Sequence, residues 1–484
     1  MRAENYFDVA ILGAGPAGVT AAARASALGA HTALISSGEF GGMAANDGPV
    51  PVRTLAHTAR LVRDARLIHK YGVAVSDPQL DYARVLTRVR EVVENVRRSP
   101  YLLEKATSQG VRVFDNVGDA RFLDANTVKT ESGSMIGADK FIIATGGVSK
   151  KLPIPGFELT STHSDAWKLH EVPESIIVVG CGATGIQVGS IFNAFGSQIR
   201  LFEAGPRILA AEDDDTATAV AEAFLRDGIE VHENFGSIES FEKTASGVRM
   251  NFSDKRGEQD SVEASLVIAT VGWGADAEGL ALPAAGVALT PHGFVEVDEC
   301  LQTSAPNIFA AGDITGRIML ASEAIRDGYV AASNAVQGPD TFVGHHVTPV
   351  GSFTDPEYAS IGLTEKEAYG VHKIDCVTVN FSENIRANID GQTFGFCKLV
   401  IESSSHKILG CHVVGERAIE IVQIVSTLFA AGMLRVDDLA RVPVSFPTYA
   451  QILIHAAVKA SALYNLDIGW HANTVGFGAR RIDS

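Results

Sequence analysis

Apolar residues in this chain arrive in short β-branched runs, several of which break on glycine. Residues 7–30, FDVAILGAGPAGVTAAARASALGA, begin with such a run, turn on Gly13, Gly15 and Gly18, and become alanine-rich. That order predicts a strand, a tight turn and a helix. The same grammar returns at residues 175–205, SIIVVGCGATGIQVGSIFNAFGSQIRLFEAG, with Gly180, Gly182 and Gly185 at the turn and a second strand ending at Glu203. KFIIATGG (140–147) and SLVIATVGW (265–273) read as strands that close on Ala-Thr and glycine. NIFAAGDITG (307–316) is another strand, ending in Gly312-Asp313. Residues 176–199 carry no charge, and their length raises the question of a membrane span. The GCGATG in their midst predicts a buried strand, turn and helix instead.

Glycine at these spacings has a chemical meaning. The first glycine of GxGxxG permits the tight turn, the second lets backbone approach a pyrophosphate, and the third allows close helix–strand packing. The helix that follows favours phosphate charge at its N-terminus. Two copies predict two bound dinucleotides. Glu203, eighteen residues past Gly185, ends the strand after the second copy. A carboxylate there accepts hydrogen bonds from a ribose 2′-hydroxyl and repels a 2′-phosphate, so NADH is favoured over NADPH. Arg207 keeps NADPH as a minority option. Asp313, at the carboxyl end of its strand, is placed to hydrogen-bond a ribityl hydroxyl.

Length and composition narrow the field. The 484 residues suffice for about three domains, and 46% hydrophobic residues supply a sizeable core. A net charge of −17 argues against a nucleic-acid partner. The five cysteines, at 181, 300, 376, 397 and 411, form no metal-type cluster, so no metal site is expected. Their odd, sparse spacing fits a reducing compartment, and MRAENYF at the start has no apolar signal core. A cytoplasmic location is expected, with no membrane span.

The order of GAGPAG, GG at 41–42, ATGG, GCGATG, AAGD and PVGSFTDPEYASIGLTEKEA (349–368) resembles the flavoprotein disulfide reductases, the pyridine nucleotide-disulfide oxidoreductase family that includes dihydrolipoamide dehydrogenase. The resemblance covers roughly residues 5–465. It implies an α/β fold with two Rossmann-like dinucleotide-binding domains, one for FAD and one for NAD, plus a C-terminal α+β dimerisation domain. The implied FAD domain is 1–150 with 280–345, the NAD domain 151–279, the interface domain 346–465 and a tail 466–484. Implied FAD contacts are Gly13, Gly15, Pro16, Ala17, Gly18, Ser36, Gly41, Gly42, Met43, Arg53, Ala120, Ala144, Thr145, Gly146, Gly312, Asp313, Leu320 and Ala321. Implied NAD contacts are Gly180, Gly182, Ala183, Thr184, Gly185, Glu203 and Gly272. A homodimer is implied, its C-terminal domains completing each other's active sites.

Departures from the family pattern decide the expected chemistry. In GGMAANDGPVPVR (41–53) the two redox-active cysteine positions are Ala44 and Pro49, and the lysine position is Arg53. The family's C-terminal His-Pro-Thr-x-x-Glu reads FPTYAQ, so the acid–base histidine becomes Phe446 and its glutamate Gln451. A phenyl ring cannot exchange the proton that imidazole does. The glutamate that often pairs with the lysine is Gln187, which leaves Arg53 less compensated and able to favour anionic reduced flavin or attract an anionic acceptor. Ser36 stands where an acid is expected for the FAD ribose, with Glu39 nearby. Trp273 replaces an arginine. Trp470-His471 in the tail are placed to reach a neighbouring subunit. The expected activity is an FAD-dependent NAD(P)H oxidoreductase that passes electrons directly to a small, quinone-like acceptor, with disulfide reduction not expected. Ala44, Pro49, Tyr449 and Phe446 of the partner subunit would shape the acceptor pocket; Arg53 and Gln187 would flank the ring. Alternatives are a soluble transhydrogenase, a flavin oxidase or dehydrogenase of a small substrate, and a non-catalytic flavin-binding subunit.

Overall fold

The computed structural model describes residues 5–98, 110–344 and 347–469. Trp470 and His471 lie outside the described residues. The chain forms two compact units. The first is assembled from Met1–Pro153, Ser161–Val172 and Thr270–His345; the second from Ile154–Thr160, Pro173–Ala269 and His346–Ser484.

The first unit begins with β1 (Tyr6–Leu12), α1 (Pro16–Ala27) and β2 (Thr32–Ile35). After them come α2 (Gly42–Asn46), α3 (Pro49–Leu67), α4 (Tyr82–Arg97), β3 (Arg112–Phe114), β4 (Ala120–Asp124), β5 (Thr127–Thr130), β6 (Met135–Ile143), β7 (Gly147–Ser149) and the short α5 (His163–Ala166). The main sheet runs β3-β2-β1-β6-β5-β4, with strand Ile308–Ala310 also paired to β6. β1 is parallel to β2 and to β6. Val9, Ile11 and Leu34 face one layer, where α1 packs against helix Ala321–Gln337. Small residues permit that contact: a Cβ on Gly328 would lie 2.2 Å from the Ala17 carbonyl oxygen.

In the second unit the uncharged stretch resolves as β8 (Ser175–Val179), a turn, and α6 (Ala183–Phe195), then β9 (Gln198–Glu203), α7 (Asp214–Arg226) and β10 (Glu230–Glu233). Strand order is β10-β9-β8 followed by strand Leu266–Ala269, all parallel. Every position of β8 after Ser175 is buried, so the continuous apolar run belongs to a covered parallel sheet. Among the described residues no helix is long and apolar enough to cross a membrane. The C-terminal part is a five-stranded antiparallel sheet with helices Ala418–Ala430 and Gln451–Leu463 packed on a core that includes Phe381, Leu399, Val425 and Ile452. The fold is thus α/β with two Rossmann-like sheets and a C-terminal α+β domain.

Candidate functional site

The first glycine turn is closed by contacts that only glycine permits. Gly13 has φ of +106°, and a Cβ there would sit 2.2 Å from the Ala144 carbonyl oxygen. A Cβ on Gly18 would lie 1.8 Å from the Gly13 carbonyl oxygen. The turn therefore presses α1 onto β1 and against the end of β6. Gly41 donates to the Ala14 carbonyl at 3.0 Å, and a Cβ on Gly42 would come within 2.7 Å of Gly15 Cα. Pro16 opens α1 at a position where its missing N–H is no loss. No side chain caps that helix, so its first amides are left for an anion.

The neighbouring parallel strands end beside the same turn. Ala144 N donates to the Leu12 carbonyl at 2.7 Å. Thr145 Oγ1 donates to the Asp276 carbonyl at 2.8 Å, and Asp276 N returns a bond to the Gly146 carbonyl at 3.1 Å. A Cβ on Gly146 would meet nothing within 4 Å, so the space beside it is open. Gly312 packs against Ala17 and Ala324, and its amide donates to Asp327 at 3.4 Å. Burial, reinforced by the Asp327 charge, raises Asp313 above the usual carboxylate range. Leu320 caps the helix that begins at Ala321. Ala120 sits at the head of β4, paired with Thr130. These residues offer a glycine-lined groove with a carboxylate at its strand end, which fits a dinucleotide such as FAD.

At the end of β2 the sequence expectation meets a different arrangement. Ser36 is 5% exposed and its hydroxyl donates to the Gly38 carbonyl at 2.8 Å. The Glu39 carboxylate is ion-paired with Arg97. Both polar groups have partners within the protein. Met43 accepts the Asp47 and Gly48 amides through its carbonyl, closing the turn between Ala44 and Pro49. Arg53 lies on the exposed side of α3, one turn past Pro49.

In the second fold, Gly180 has φ of +87° and its amide donates to Phe202. Gly185 is buried in α6, as the close helix–strand packing requires. Gly182 has room around it: no heavy atom lies within 4 Å of where its Cβ would be. Its backbone is extended, so alanine fits without strain. Gly182→Ala is expected to keep or slightly raise the melting temperature, while the methyl blocks the approach of Ala183, Thr184 and the phosphate. The obstruction should cost about 1–3 kcal/mol of NADH binding, read as at least a fivefold rise in NADH KM. Unchanged KM would mean that the pyrophosphate lies elsewhere.

Glu203 reaches back to its own fingerprint. Its carboxylate accepts from Cys181 N at 2.8 Å and Gly205 N at 2.7 Å. Arg207 donates to the Leu209 and Glu212 carbonyls at 2.7 and 2.6 Å and pairs with Asp214 at 2.7 Å. Gln187 spans Ala183 O and Phe353 N, at 3.1 and 3.3 Å. Gly272 belongs to the first unit, its carbonyl accepting from Lys150 N at 3.0 Å. Trp273 stands edge-on to His163, centroids 5.1 Å apart.

Phe446 is 69% exposed. Tyr449 donates its hydroxyl to Asp390 at 2.9 Å and lies beside Phe381. Burial first, then the Asp390 bond, push its pKa up, so Tyr449 keeps its proton. Sequence reasoning passed over His163, Trp167, Tyr82 and Arg97, which surround the 41–53 segment from distant stretches of chain. Only α4's amphipathic spacing hinted that one of its faces was occupied.

Residues 7–328 match the family model for pyridine nucleotide-disulphide oxidoreductases, and residues 348–457 match that family's dimerisation domain. The dihydrolipoyl dehydrogenase of Geobacillus stearothermophilus is 32% identical over 461 residues, covering 94% of this chain and 96% of that enzyme. That of Mycobacterium leprae is 31% identical over 463 residues, with 93% and 97% coverage. Among solved structures, the Cu(II) complex of the HOCl-induced flavoprotein disulfide reductase RclA from Escherichia coli shares the fold with a TM-score of 0.83 at 24% identity, covering 94% of this chain and 99% of that one. With two glycine-turn nucleotide folds, a matching dimerisation domain and relatives over almost its whole length, the chain belongs to the pyridine nucleotide-disulphide oxidoreductase family, as an oxidoreductase that binds FAD and a pyridine nucleotide.

Proposed function

We propose that this chain takes electrons from NADH onto its FAD and delivers them directly to a small, quinone-like acceptor. The 41–53 segment carries the reading: the two positions that hold paired cysteines in the family pattern hold a methyl group and a pyrrolidine ring. The segment itself holds no thiol. Cys300, in the first unit, donates to the Pro339 carbonyl at 3.0 Å, and burial with nearby Asp298 pushes its pKa up. The other four cysteines lie in the second unit. FAD, when bound, supplies a ring that accepts and releases two electrons. The protein contributes placement, an apolar surface at Ala44 and Pro49, and the fixed cation of Arg53, which favours acceptors with anionic character.

Glu203 supports the preference for NADH. Two backbone amides hold its carboxylate in place at the end of β9, where a 2′-phosphate would be repelled. Arg207, the nearby cation, is spent on carbonyls and on Asp214. Glu203→Gln is expected to raise the NADH KM about tenfold, since hydrogen bonds to charged groups contribute about 1.5–3 kcal/mol. Losing the charge should also move the NADH-to-NADPH ratio of kcat/KM toward NADPH; an unchanged ratio would contradict the assignment. The dimerisation-domain match supports a homodimer, and five free thiols fit a reducing cytoplasm. The deciding experiment is anaerobic mixing with NADH, followed by quinones, thio-NAD or O₂. If NADH leaves the flavin absorbance unchanged, the chain is a flavin-binding subunit and the reading fails.

A further inference from the structure

Asn46 and Asp47 separate Ala44 from Pro49, and each is gripped by a side chain from elsewhere in the first unit. Asn46 Oδ1 accepts from Arg97 Nε at 2.7 Å. The same guanidinium pairs with Glu39, whose carbonyl accepts from the Asn46 amide at 3.2 Å. The Asp47 carbonyl accepts from Trp167 Nε1 at 2.9 Å. Trp167 is buried, and the carbonyl of Ala166 before it accepts from the Tyr82 hydroxyl at 3.3 Å. Tyr82 is the first residue of α4 and Arg97 the last. One helix thus holds the turn from both its ends, directly through Arg97 and by way of Ala166–Trp167 through Tyr82.

We propose that Arg97 and Trp167 are positioning residues that fasten the α2–α3 turn where the family pattern has a covalent bond between positions 44 and 49. Two bonds on consecutive residues, one to a side chain and one to a backbone carbonyl, fix both the location and the tilt of the turn. The Asp47 carbonyl bonds a buried indole in a part-buried place, so losing Trp167 removes a hydrogen bond that fixes the turn. Glu39 balances the Arg97 charge. The turn so held keeps Ala44 and Pro49 as a rigid surface. That consequence for turnover rests on the proposed function; the fastening itself does not.

The test compares amide hydrogen exchange over 42–50 in the flavin-loaded protein, Trp167→Phe, Arg97→Met, the double variant, and the double variant carrying Ala44→Cys and Pro49→Cys oxidised with diamide. Exchange at Asp47 and Gly48 is expected to quicken about tenfold in each single variant and further in the double, a factor of ten being one lost increment of about 1.4 kcal/mol. The cross-link should restore protection. With an acceptor in hand, its KM should rise while the rate of bleaching by NADH stays put. Wild-type exchange in the double variant, acceleration spread evenly over β1 and α1, or a cysteine pair that will not close or restores nothing would overturn the proposal. If no acceptor is turned over, the functional reading falls and the exchange data still decide this one.

Discussion

Lys398→Met is expected to lower the free energy of unfolding by about 3–5 kcal/mol, the usual cost of removing one partner from a buried ion pair. Lys398 and Asp213 are 2% and 1% exposed, and Lys398 Nζ reaches Asp213 at 2.9 Å, Asp215 at 2.7 Å and Glu365 at 2.6 Å. Asp213 also caps α7 and accepts from Glu365 N at 3.0 Å. Burial opposes its charge, but the Lys398 and Glu365 bonds outweigh burial and hold Asp213 below the usual carboxylate range. A folded-state pKa below the unfolded one means that this stabilisation is complete above the ordinary carboxylate range and is lost as pH falls through the lowered value. Urea unfolding should therefore show wild type and variant far apart at neutral pH and converging in acid. Adding Asp213→Asn to the variant should recover part of the loss, because it removes the stranded charge. A variant as stable as wild type at neutral pH would show that the ion cluster contributes nothing net.

Lipoamide and glutathione disulfide are expected to go unreduced while NADH bleaches the flavin without added dithiol. Disulfide exchange needs an attacking thiolate and a group to manage its proton. Acid–base catalysis alone is worth about 10²–10⁴-fold, and Phe446 supplies none. Gln451, at the position of the family's orienting glutamate, accepts from Thr448 N at 3.4 Å and has no imidazole to aim. Ala44 and Pro49 offer no sulfur for a covalent intermediate either, so the two effects should compound. Assays with NADH and each disulfide should stay at background, and turnover of either would refute the assignment of Ala44 and Pro49.

Much of the fold was legible because glycine leaves an unambiguous signature where a strand, a turn and a helix must approach closely. Gly13 and Gly18 announced a contact that the structure places at 2.2 Å and 1.8 Å from a carbonyl oxygen for an added Cβ. The uncharged stretch at 176–199 was readable for the same reason. Side-chain partners were not. Glu39 suggested itself as a ribose ligand from its position, yet its partner, Arg97, is fifty-eight residues away. Tyr449 offered a hydroxyl near Phe446, but whether that hydroxyl faces Asp390 depends on how two loops meet. Trp167 and Asp47 are 120 positions apart, and no periodicity links them. Local pattern carries backbone geometry; the pairing of distant polar groups emerges only once layers have packed.

The first unit is built from three separate stretches of chain, and that has a consequence for how the protein is made. The glycine turn leaves the ribosome some three hundred residues ahead of Asp313 and Gly328, which complete its surroundings. Contacts of such long sequence separation close late. The nested β8–β10 region can collapse beforehand as an insertion, while the opening β1–α1 segment waits for its partners. Flavin capture is therefore expected late in biosynthesis, and nascent chains halted before Asp313 should emerge colourless.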